Sequence, residues 1–344
     1  MYKISSSESS NEKATDFETK AMLYLMNYYQ EADRIHYFVI DFFNDISGVT
    51  QLADSCFDVQ SKGIKNIQPT QLGEYLVTLF KNYISEFNFE GYLLFVEGVS
   101  ATISSQLNGK NLFSCFDLDA DTISKIKNGL INAANYKTYI EDKQAINDAN
   151  INSFLEKVLF VIDYRKKEDY IRDAVQFESS LIIEDRDLRK IFKEIRDKQS
   201  SKKNNRAEGE LLSSIGCFAK YDKFLKKEDI QQLIMNRICF KQAIRSIESI
   251  PKSFLPCIQQ IDETIVEEVL EDCQNSLFRL LYDKNNKIAY WALFEEIVMA
   301  IKNYPQASIN EIYERIDRQK ILAVRYLDIL SCKYYISLIK ERIK

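Results

Sequence analysis

The first hundred residues alternate between helical and extended patterns of apolar side chains. Residues 15–32 carry apolar side chains three to four positions apart, and Thr15 followed by Glu18 matches a helix capping box. Residues 35–43 are β-branched and aromatic, which is typical of a buried strand. The same reasoning predicts a weak strand near 48–53, a strand over 55–62, a helix over 69–86 that begins at Pro69, and a strand over 91–98.

The chain changes character near residue 100. Five of the nine glycines lie between Gly48 and Gly98, and none occurs from Cys217 onward. Glycine marks turns between strands, so its absence predicts helices. Residues 200–210, SSKKNNRAEGE, are predicted to be a mobile surface loop whose lysines serve solubility. We expect a flexible tail over 1–11, an α/β domain over 12–100, and a mainly α-helical domain over 101–344.

Composition and charge narrow the classes of protein that remain. A net charge of −5 argues against a free-standing basic nucleic-acid binder, although it allows a DNA enzyme with a locally positive site. The seven cysteines form no C-x-x-C pair, so reduced, mostly buried thiols in a cytoplasmic protein are expected. There is no 18-residue apolar run, which predicts no membrane span.

The single histidine, His36, removes most histidine-dependent chemistry, and its place in an apolar strand indicates a structural role. No G-x4-G-K-[ST] or G-x-G-x-x-G motif occurs, so nucleotide binding by those devices is excluded. The stretch DLDADTISKIKNG begins with the spacing of a calcium loop. It has Thr122 at the sixth position and Asn128 at the twelfth, so Asp121 is interpreted as a helix N-cap.

The stretch FDVQSKG, residues 57–63, carries the most informative polar pattern. Asp58, Gln60 and Lys62 alternate with other residues, so a strand would project them from one face. One interpretation is an exposed face of a half-buried edge strand, where lysine is favoured. The other is a metal site, because metal-dependent phosphodiester hydrolysis needs acidic ligands beside a cation.

A metal site at this strand requires a second source of carboxylates. Asp45 ends the preceding apolar segment and lies 15 residues before Gln60, far enough for a hairpin return. Glu18 on the first helix is a further candidate, although the capping box also explains it. Asp58 is either a substitute ligand or, as we favour, a solvated residue.

Asp45 followed by Gln60-Ser61-Lys62, flanked by the two predicted helices, resembles the core of PD-(D/E)xK nucleases. It is most similar to the D…QxK variant, as in Mrr-type restriction enzymes. The phrases FVIDFFNDI, FDVQSKG, LGEYLVTLF and YLLFV resemble the N-terminal double-stranded-DNA endonuclease domain of bacterial anti-phage effectors, including those of Lamassu-type systems. Family members tend to carry an E…DD segment. Here Asp41 takes the first place and Asn44-Asp45 the pair, which leaves the role of Asp41 open.

The resemblance covers about residues 12–100 and implies a restriction-endonuclease-like fold. It implies Mg²⁺- or Mn²⁺-dependent cleavage of double-stranded DNA, with the metal held by Asp45, Glu18 and the Gln60 oxygen, and with Lys62 orienting water. It further implies an effector that a defence complex holds inactive until triggered. An SMC-like ATPase and a small accessory subunit are the suggested partners, and oligomerisation is expected in the active state.

Two other functions remain open on the residues alone. One is a catalytically inactive scaffold subunit with a degenerate nuclease fold and a helical docking surface. The other is a nuclease directed at RNA.

Overall fold

The structure is a computed structural model that describes residues 2–4, 12–174, 185–204, 209–239, 250–282 and 287–341. The chain divides into two compact units. Unit 1 comprises Met1–Ala174 and Arg189–Ile230, and unit 2 comprises Val175–Leu188 and Gln231–Lys344. The boundary expected at residue 100 therefore lies inside unit 1, because strands later in the chain join the same sheet as the early ones.

Nine strands are described: β1 (Tyr2–Lys3), β2 (Ile35–Ile40), β3 (Ile46–Thr50), β4 (Cys56–Lys62), β5 (Phe89–Val96), β6 (Leu112–Phe113), β7 (Val158–Ile162), β8 (Leu211–Leu212) and β9 (Phe224–Lys226). The α-helices of unit 1 are α1 (Glu12–Asn27), α2 (Pro69–Tyr75), α3 (Val77–Tyr83), α4 (Ala101–Ser104), α5 (Ala120–Tyr136), α6 (Asp148–Leu155), α7 (Lys167–Ala174) and most of α8 (Asp185–Ser201). A 3₁₀ turn, Lys202–Asn204, follows α8 directly.

Seven strands of unit 1 form one mixed sheet in the order β6-β7-β5-β4-β3-β2-β9. Strands β2, β3 and β4 form an antiparallel meander, and β4, β5 and β7 run parallel. The parallel pairing of β4 with β5 requires the crossover through α2 and α3. Strand β4 is thus the middle strand, which explains why six of its seven residues are buried.

The two faces of this sheet are covered by different helices. Helix α1 lies on β3 and β4, and its Phe17 also meets Phe95 of β5 at a centroid distance of 5.0 Å. Helix α3 lies on β4 and β5 at the opposite face, where Tyr83 meets Tyr92 at 5.9 Å. Side chains alternate along a strand, so successive residues of β4 contact α1 and α3 in turn.

The predicted element order is confirmed, with shifts in the bounds. The segment near 48–53 is not weak: β3 covers Ile46–Thr50 and all five residues are buried. The helix expected over 69–86 is two helices that meet at Leu76, and Pro69 is its first residue as predicted. Asp121 is not the cap of α5, because Asp119 accepts the hydrogen bond from the Thr122 N–H.

The expectation of a loose N-terminal tail is wrong for the described residues 2–4. Strand β1 pairs with β8, and the side chains of Tyr2 and Ile4 are buried. Tyr2 stacks on Phe87 at a centroid distance of 5.2 Å. Residues 5–11 lie outside the described residues. Residues 2–4 therefore pack against the rest of unit 1 through apolar contacts.

Unit 2 is helical in the residues that are described. Its elements are part of α9 (Lys227–Cys239), α10 (Leu255–Ile258), α11 (Val266–Tyr282), α12 (Lys287–Asn303), α13 (Ile309–Arg315), α14 (Arg318–Ala323) and α15 (Ile329–Lys340). Helix α15 packs against α11, α12 and α13, and its buried Tyr335 stacks on Tyr290 at 5.7 Å. The predicted helical character of the C-terminal part is confirmed here.

Two further features bear on the expectations from composition. Within the described parts of the chain, no helix combines the length and apolar character needed to cross a membrane. Six cysteines are described as free thiols, of which Cys56, Cys115, Cys273 and Cys332 are buried. The expectation that the cysteines are mostly buried is confirmed for four of these six.

Helices α2 and α5 cross at two glycines that leave no room for a side chain. A Cβ at Gly129 would lie 2.0 Å from the Thr70 carbonyl oxygen, and one at Gly73 would lie 1.9 Å from the Ile126 carbonyl oxygen. Both obstacles are backbone atoms, so neither helix can yield by changing a rotamer.

We expect Gly129→Ala to lower the free energy of unfolding by about 3 kcal/mol, because the methyl group forces the helices apart. Urea denaturation measures the change. The control is Gly98→Ala, whose Cβ would meet its nearest atoms at an ordinary 3.7 Å. Equal stability of the two variants would show that the α2–α5 contact is not close-packed.

Candidate functional site

A tight turn between β2 and β3 sets the position of Asp45. Asp41 adopts a φ of 50°, in the left-handed region that a short polar residue tolerates. Its N–H donates to the Asp45 carbonyl oxygen at 3.0 Å. The buried Lys223 ammonium donates to the Asp41 carbonyl oxygen at 2.8 Å and reaches its carboxylate at 3.2 Å. The open role of Asp41 is thus that of a turn residue.

The pairing of β3 with β4 brings Asp45 to the Gln60-Ser61-Lys62 stretch. Ile46 pairs with Val59, so the residue before Ile46 lies opposite Gln60. The hairpin return predicted from the 15-residue spacing is therefore confirmed. Asp45 is only partly buried, since it sits at the end of the strand rather than within it.

The Asp45 carboxylate is held by β4 through three hydrogen bonds to one oxygen. Its Oδ2 accepts from Gln60 Nε2 at 2.7 Å, from the Ser61 N–H at 2.8 Å and from the Ser61 hydroxyl at 2.9 Å. Burial raises the pKa of Asp45, and the charge of Lys62 and the Ser61 hydrogen bonds oppose that rise. These three hydrogen bonds hold the Asp45 carboxylate in one orientation.

The side chain of Gln60 is itself fixed from the helical layer. The Thr78 hydroxyl on α3 donates to Gln60 Oε1 at 2.7 Å, which directs Nε2 toward Asp45. The sequence-based expectation assigned the Gln60 oxygen to a metal ion. In this geometry, Gln60 Oε1 accepts from Thr78 and Nε2 donates to Asp45, so Gln60 positions Asp45, while its role as a metal ligand stays a prediction.

Lys62 lies at the end of β4 on the face that it shares with Gln60. It is half-buried, and its ammonium lies 5.6 Å from the centroid of the Tyr75 ring. Its positive charge lowers the pKa of Asp45, against the effect of burial. Lys62 and Asp45 therefore interact electrostatically beside the end of β4.

Glu18 reaches the same region from α1, but not as a capping residue. The helix begins at Glu12, so Thr15 and Glu18 lie within it, because residues 12–14 are themselves good helix formers. The Glu18 side chain is only 10% exposed and forms an ion pair with Lys203. Burial, then the charge of Asp45, raises the pKa of Glu18 to about 7 against the opposing effect of Lys203.

The end of α8 supplies two residues to Glu18 that the sequence interpretation missed. Gln199 is fully buried, accepts from the Thr19 hydroxyl at 2.7 Å and approaches Glu18 Oε2 with its Nε2 at 3.5 Å. Lys203 follows one helical turn later. The loop predicted over 200–210 is therefore wrong for residues 200–204, which finish α8 and its 3₁₀ turn, while residues 205–208 lie outside the described part of the chain.

Asp58 is completely buried, so its interpretation as a solvated residue is wrong. The alternative of an exposed strand face fails for Gln60 as well, which is 4% exposed. Asp58 accepts from Ser47 at 2.9 Å, from Asn44 at 3.2 Å and from Asn82 at 2.5 Å. Burial raises its pKa from 3.8 to about 6, and these three donors limit the rise. Because both of its carboxylate oxygens accept hydrogen bonds from protein donors, Asp58 is a structural group of the core.

The hydrogen bonds of Asp58 continue to the N-terminal strand. Asn82, which donates to Asp58, accepts from the Tyr2 hydroxyl at 2.6 Å. The Lys81 ammonium lies 4.5 Å from the centroid of the Tyr2 ring, and burial lowers its pKa to about 8. This buried network is connected to the site through β4, which carries both Asp58 and Gln60.

Sequence reasoning found the four residues Glu18, Asp45, Gln60 and Lys62, which come from three separate elements. It missed Thr78, Gln199 and Lys203. The four-residue spacing between Gln199 and Lys203, which places both on one helix face, was the signal available for those two residues. The combined site holds two interacting carboxylates and two ammonium groups beside the end of the central strand. Such an arrangement can bind a cation and stabilise developing negative charge.

The oxygen ligands of this site fit Mg²⁺ or Mn²⁺ only if water and substrate complete the coordination of the ion. Among the residues that the structure describes, no group of three or more His, Cys, Asp or Glu side chains is arranged to hold a metal ion. Magnesium is commonly held by one or two carboxylates together with waters and substrate phosphates. Asp45 and Glu18 would supply two carboxylates. These two carboxylates fit an ion that is also bound by water and substrate phosphate. They do not fit an ion whose ligands all come from the protein.

Comparison with known proteins adds no relative. The chain matches no family model, no curated protein and no solved structure.

Asp58 makes the stability of unit 1 depend on pH in a defined direction. Its folded pKa lies above its unfolded pKa, so its contribution to stability is complete below about pH 4 and is lost as the pH rises through 6. We expect the stability of Asp58→Asn relative to wild type to increase by on the order of 2–3 kcal/mol between pH 4 and 7. Urea denaturation across this range measures the difference.

The asparagine keeps a carbonyl oxygen for Asn82 and an amide group for the Ser47 hydroxyl, so the packing is preserved. Asp121→Asn, at a side chain that is 73% exposed, is the control and should follow the wild-type profile. A constant difference between Asp58→Asn and wild type at every pH would contradict the raised pKa.

Proposed function

We propose that the chain is a metal-dependent DNA endonuclease whose site lies at the end of β4. The observation that carries this proposal is the convergence of Asp45, Gln60 and Lys62, with Glu18 reaching the same place from α1. The helix, three-stranded meander, helix and parallel strand over residues 12–96 follow the element order on which the resemblance to PD-(D/E)xK nucleases rests.

Each residue has a distinct part in the proposed reaction. Asp45 and Glu18 are the metal ligands, and Gln60 with Ser61 holds the Asp45 carboxylate in one orientation. Lys62 is placed to orient the attacking water and to stabilise negative charge on the phosphate. When bound, Mg²⁺ lowers the pKa of a water molecule and neutralises phosphate charge.

The proposed substrate is double-stranded DNA, and the proposed setting is an anti-phage defence complex. Both follow from the resemblance of residues 12–100 to the endonuclease domain of such effectors. The separate helical unit 2 suits partner binding, and an SMC-like ATPase with a small accessory subunit is the proposed partner set. Cleavage of both strands of a duplex needs two sites, so an active oligomer is part of the proposal.

The site residues give a direct test on plasmid DNA. We expect Asp45→Asn and Lys62→Met each to reduce Mg²⁺-dependent cleavage by about 10²–10⁴-fold, because each removes a group that holds the metal or stabilises the transition state. Conversion of supercoiled plasmid to linear product, with and without the candidate partners, measures the rate.

Matched controls are available on α5. Asp121→Asn and Lys125→Met remove the same types of charge from an exposed ion pair and should leave cleavage unchanged. Cleavage by Asp45→Asn and Lys62→Met at the wild-type rate would refute the assignment of the site. Preference for RNA over duplex DNA in a competition assay would instead indicate that the substrate is RNA.

The second candidate function is an inactive scaffold subunit that has kept the nuclease fold. It is favoured by the pairing of Glu18 with Lys203 and by the engagement of the Gln60 oxygen with Thr78. A scaffold predicts stable co-purification with partners and no metal-dependent cleavage with any of them. The plasmid assay therefore separates the two functions.

A further inference from the structure

Lys203 places a positive charge where the two site carboxylates interact. Its ammonium pairs with Glu18 Oε2, and its charge also lowers the pKa of Asp45. The Lys203 side chain is 17% exposed and that of Glu18 is 10% exposed, so little water competes for the contact. A protein cation is therefore already paired with one of the two carboxylates proposed to bind a metal ion.

The contact is built by a rigid element rather than by a chance surface lysine. Lys203 lies in the 3₁₀ turn that directly follows α8, one helical turn after the fully buried Gln199. Gln199 is anchored to α1 by the Thr19 hydroxyl at 2.7 Å and approaches the same oxygen of Glu18 at 3.5 Å. The end of α8 thus presents both an amide and an ammonium group to one carboxylate oxygen.

Two cations cannot share one desolvated carboxylate oxygen without repulsion. We propose that Lys203 is a built-in substitute for the metal ion, which holds Glu18 in the resting protein and leaves it when a divalent cation binds. This inference rests on the proposed function, since it concerns the same carboxylates. It assigns Lys203 as the residue that sets the metal affinity of the site.

Lys203 offsets the repulsion between the two site carboxylates in the resting protein. The charge of Asp45 raises the pKa of Glu18, and the charge of Lys203 lowers the pKa of both carboxyl groups. A divalent cation can take over this compensation, with waters or substrate phosphate as its further oxygen ligands. In the resting protein, Lys203 keeps the carboxylates in place for that event.

The test measures Mn²⁺ binding by the full chain, with electron paramagnetic resonance reporting free Mn²⁺. Lys203→Met keeps the length of the side chain and removes the charge. We expect it to bind Mn²⁺ about tenfold more tightly than wild type, because the metal no longer displaces a charged hydrogen-bond donor. Adding Asp45→Asn to Lys203→Met should abolish the gain, which ties it to this site.

Lys202→Met is the matched control. Lys202 is the neighbouring lysine in the same 3₁₀ turn, but its ammonium pairs with Asp222 at 2.7 Å. This variant should bind Mn²⁺ as wild type does. If Lys203→Met binds Mn²⁺ no more tightly than Lys202→Met, or more weakly, Lys203 does not compete with the metal and the inference is overturned.

A second measurement uses the wild-type chain and does not depend on the folding of a variant. Acetic anhydride acylates accessible lysines, and peptide fragmentation distinguishes Lys202 from Lys203. Saturating Mn²⁺ should accelerate acetylation of Lys203 and leave Lys202 unchanged. Equal acetylation of Lys203 with and without Mn²⁺ contradicts its release from Glu18.

The outcomes separate this inference from the proposed function. Asp45-dependent Mn²⁺ binding and plasmid cleavage, without a gain in Lys203→Met, would overturn only the role of Lys203. The absence of Mn²⁺ binding and cleavage in wild type and all variants would overturn both.

Discussion

The site depends on the anchoring of the Asp45 carboxylate to the central strand. The left-handed Asp41 turns the chain out of β2, and the register of β3 on β4 then places Asp45 opposite Gln60. Three hydrogen bonds to one oxygen fix the carboxylate there. Without this anchor, Lys62 and Glu18 would have no common partner, since they belong to different elements.

The surrounding layers support that anchor from both faces of the sheet. On one face, α3 orients Gln60 through Thr78 and holds the buried Asp58 through Asn82. On the other, α1 carries Glu18, whose charge is balanced from the end of α8. Each of these polar groups is removed from water, and a buried polar group without a partner is strongly destabilising. The polar contacts therefore stabilise one arrangement of the site.

The local pattern of the sequence was sufficient to predict the order of helices and strands up to residue 98 and the return of Asp45 to Gln60. It did not predict β6, β7, β8 and β9, which lie in the part expected to be mainly helical. Period-two and helical spacings are local properties, and a hairpin return follows from the 15-residue spacing. Burial of Asp58 was not predictable, because its donors Ser47 and Asn82 lie on other elements. The same applies to Lys203, whose partner Glu18 precedes it by 185 positions.

The most direct test is a crystal structure of the chain with Mn²⁺ and a DNA duplex that resists hydrolysis. Anomalous scattering locates Mn²⁺ independently of any assumption about the site. The account predicts one peak bonded to carboxylate oxygens of Asp45 and Glu18, with Lys62 beside the scissile phosphate and Lys203 moved away from Glu18. The contradicting result is a duplex bound elsewhere on the protein, with no anomalous Mn²⁺ peak at Asp45 and with Lys203 still paired to Glu18 at saturating Mn²⁺.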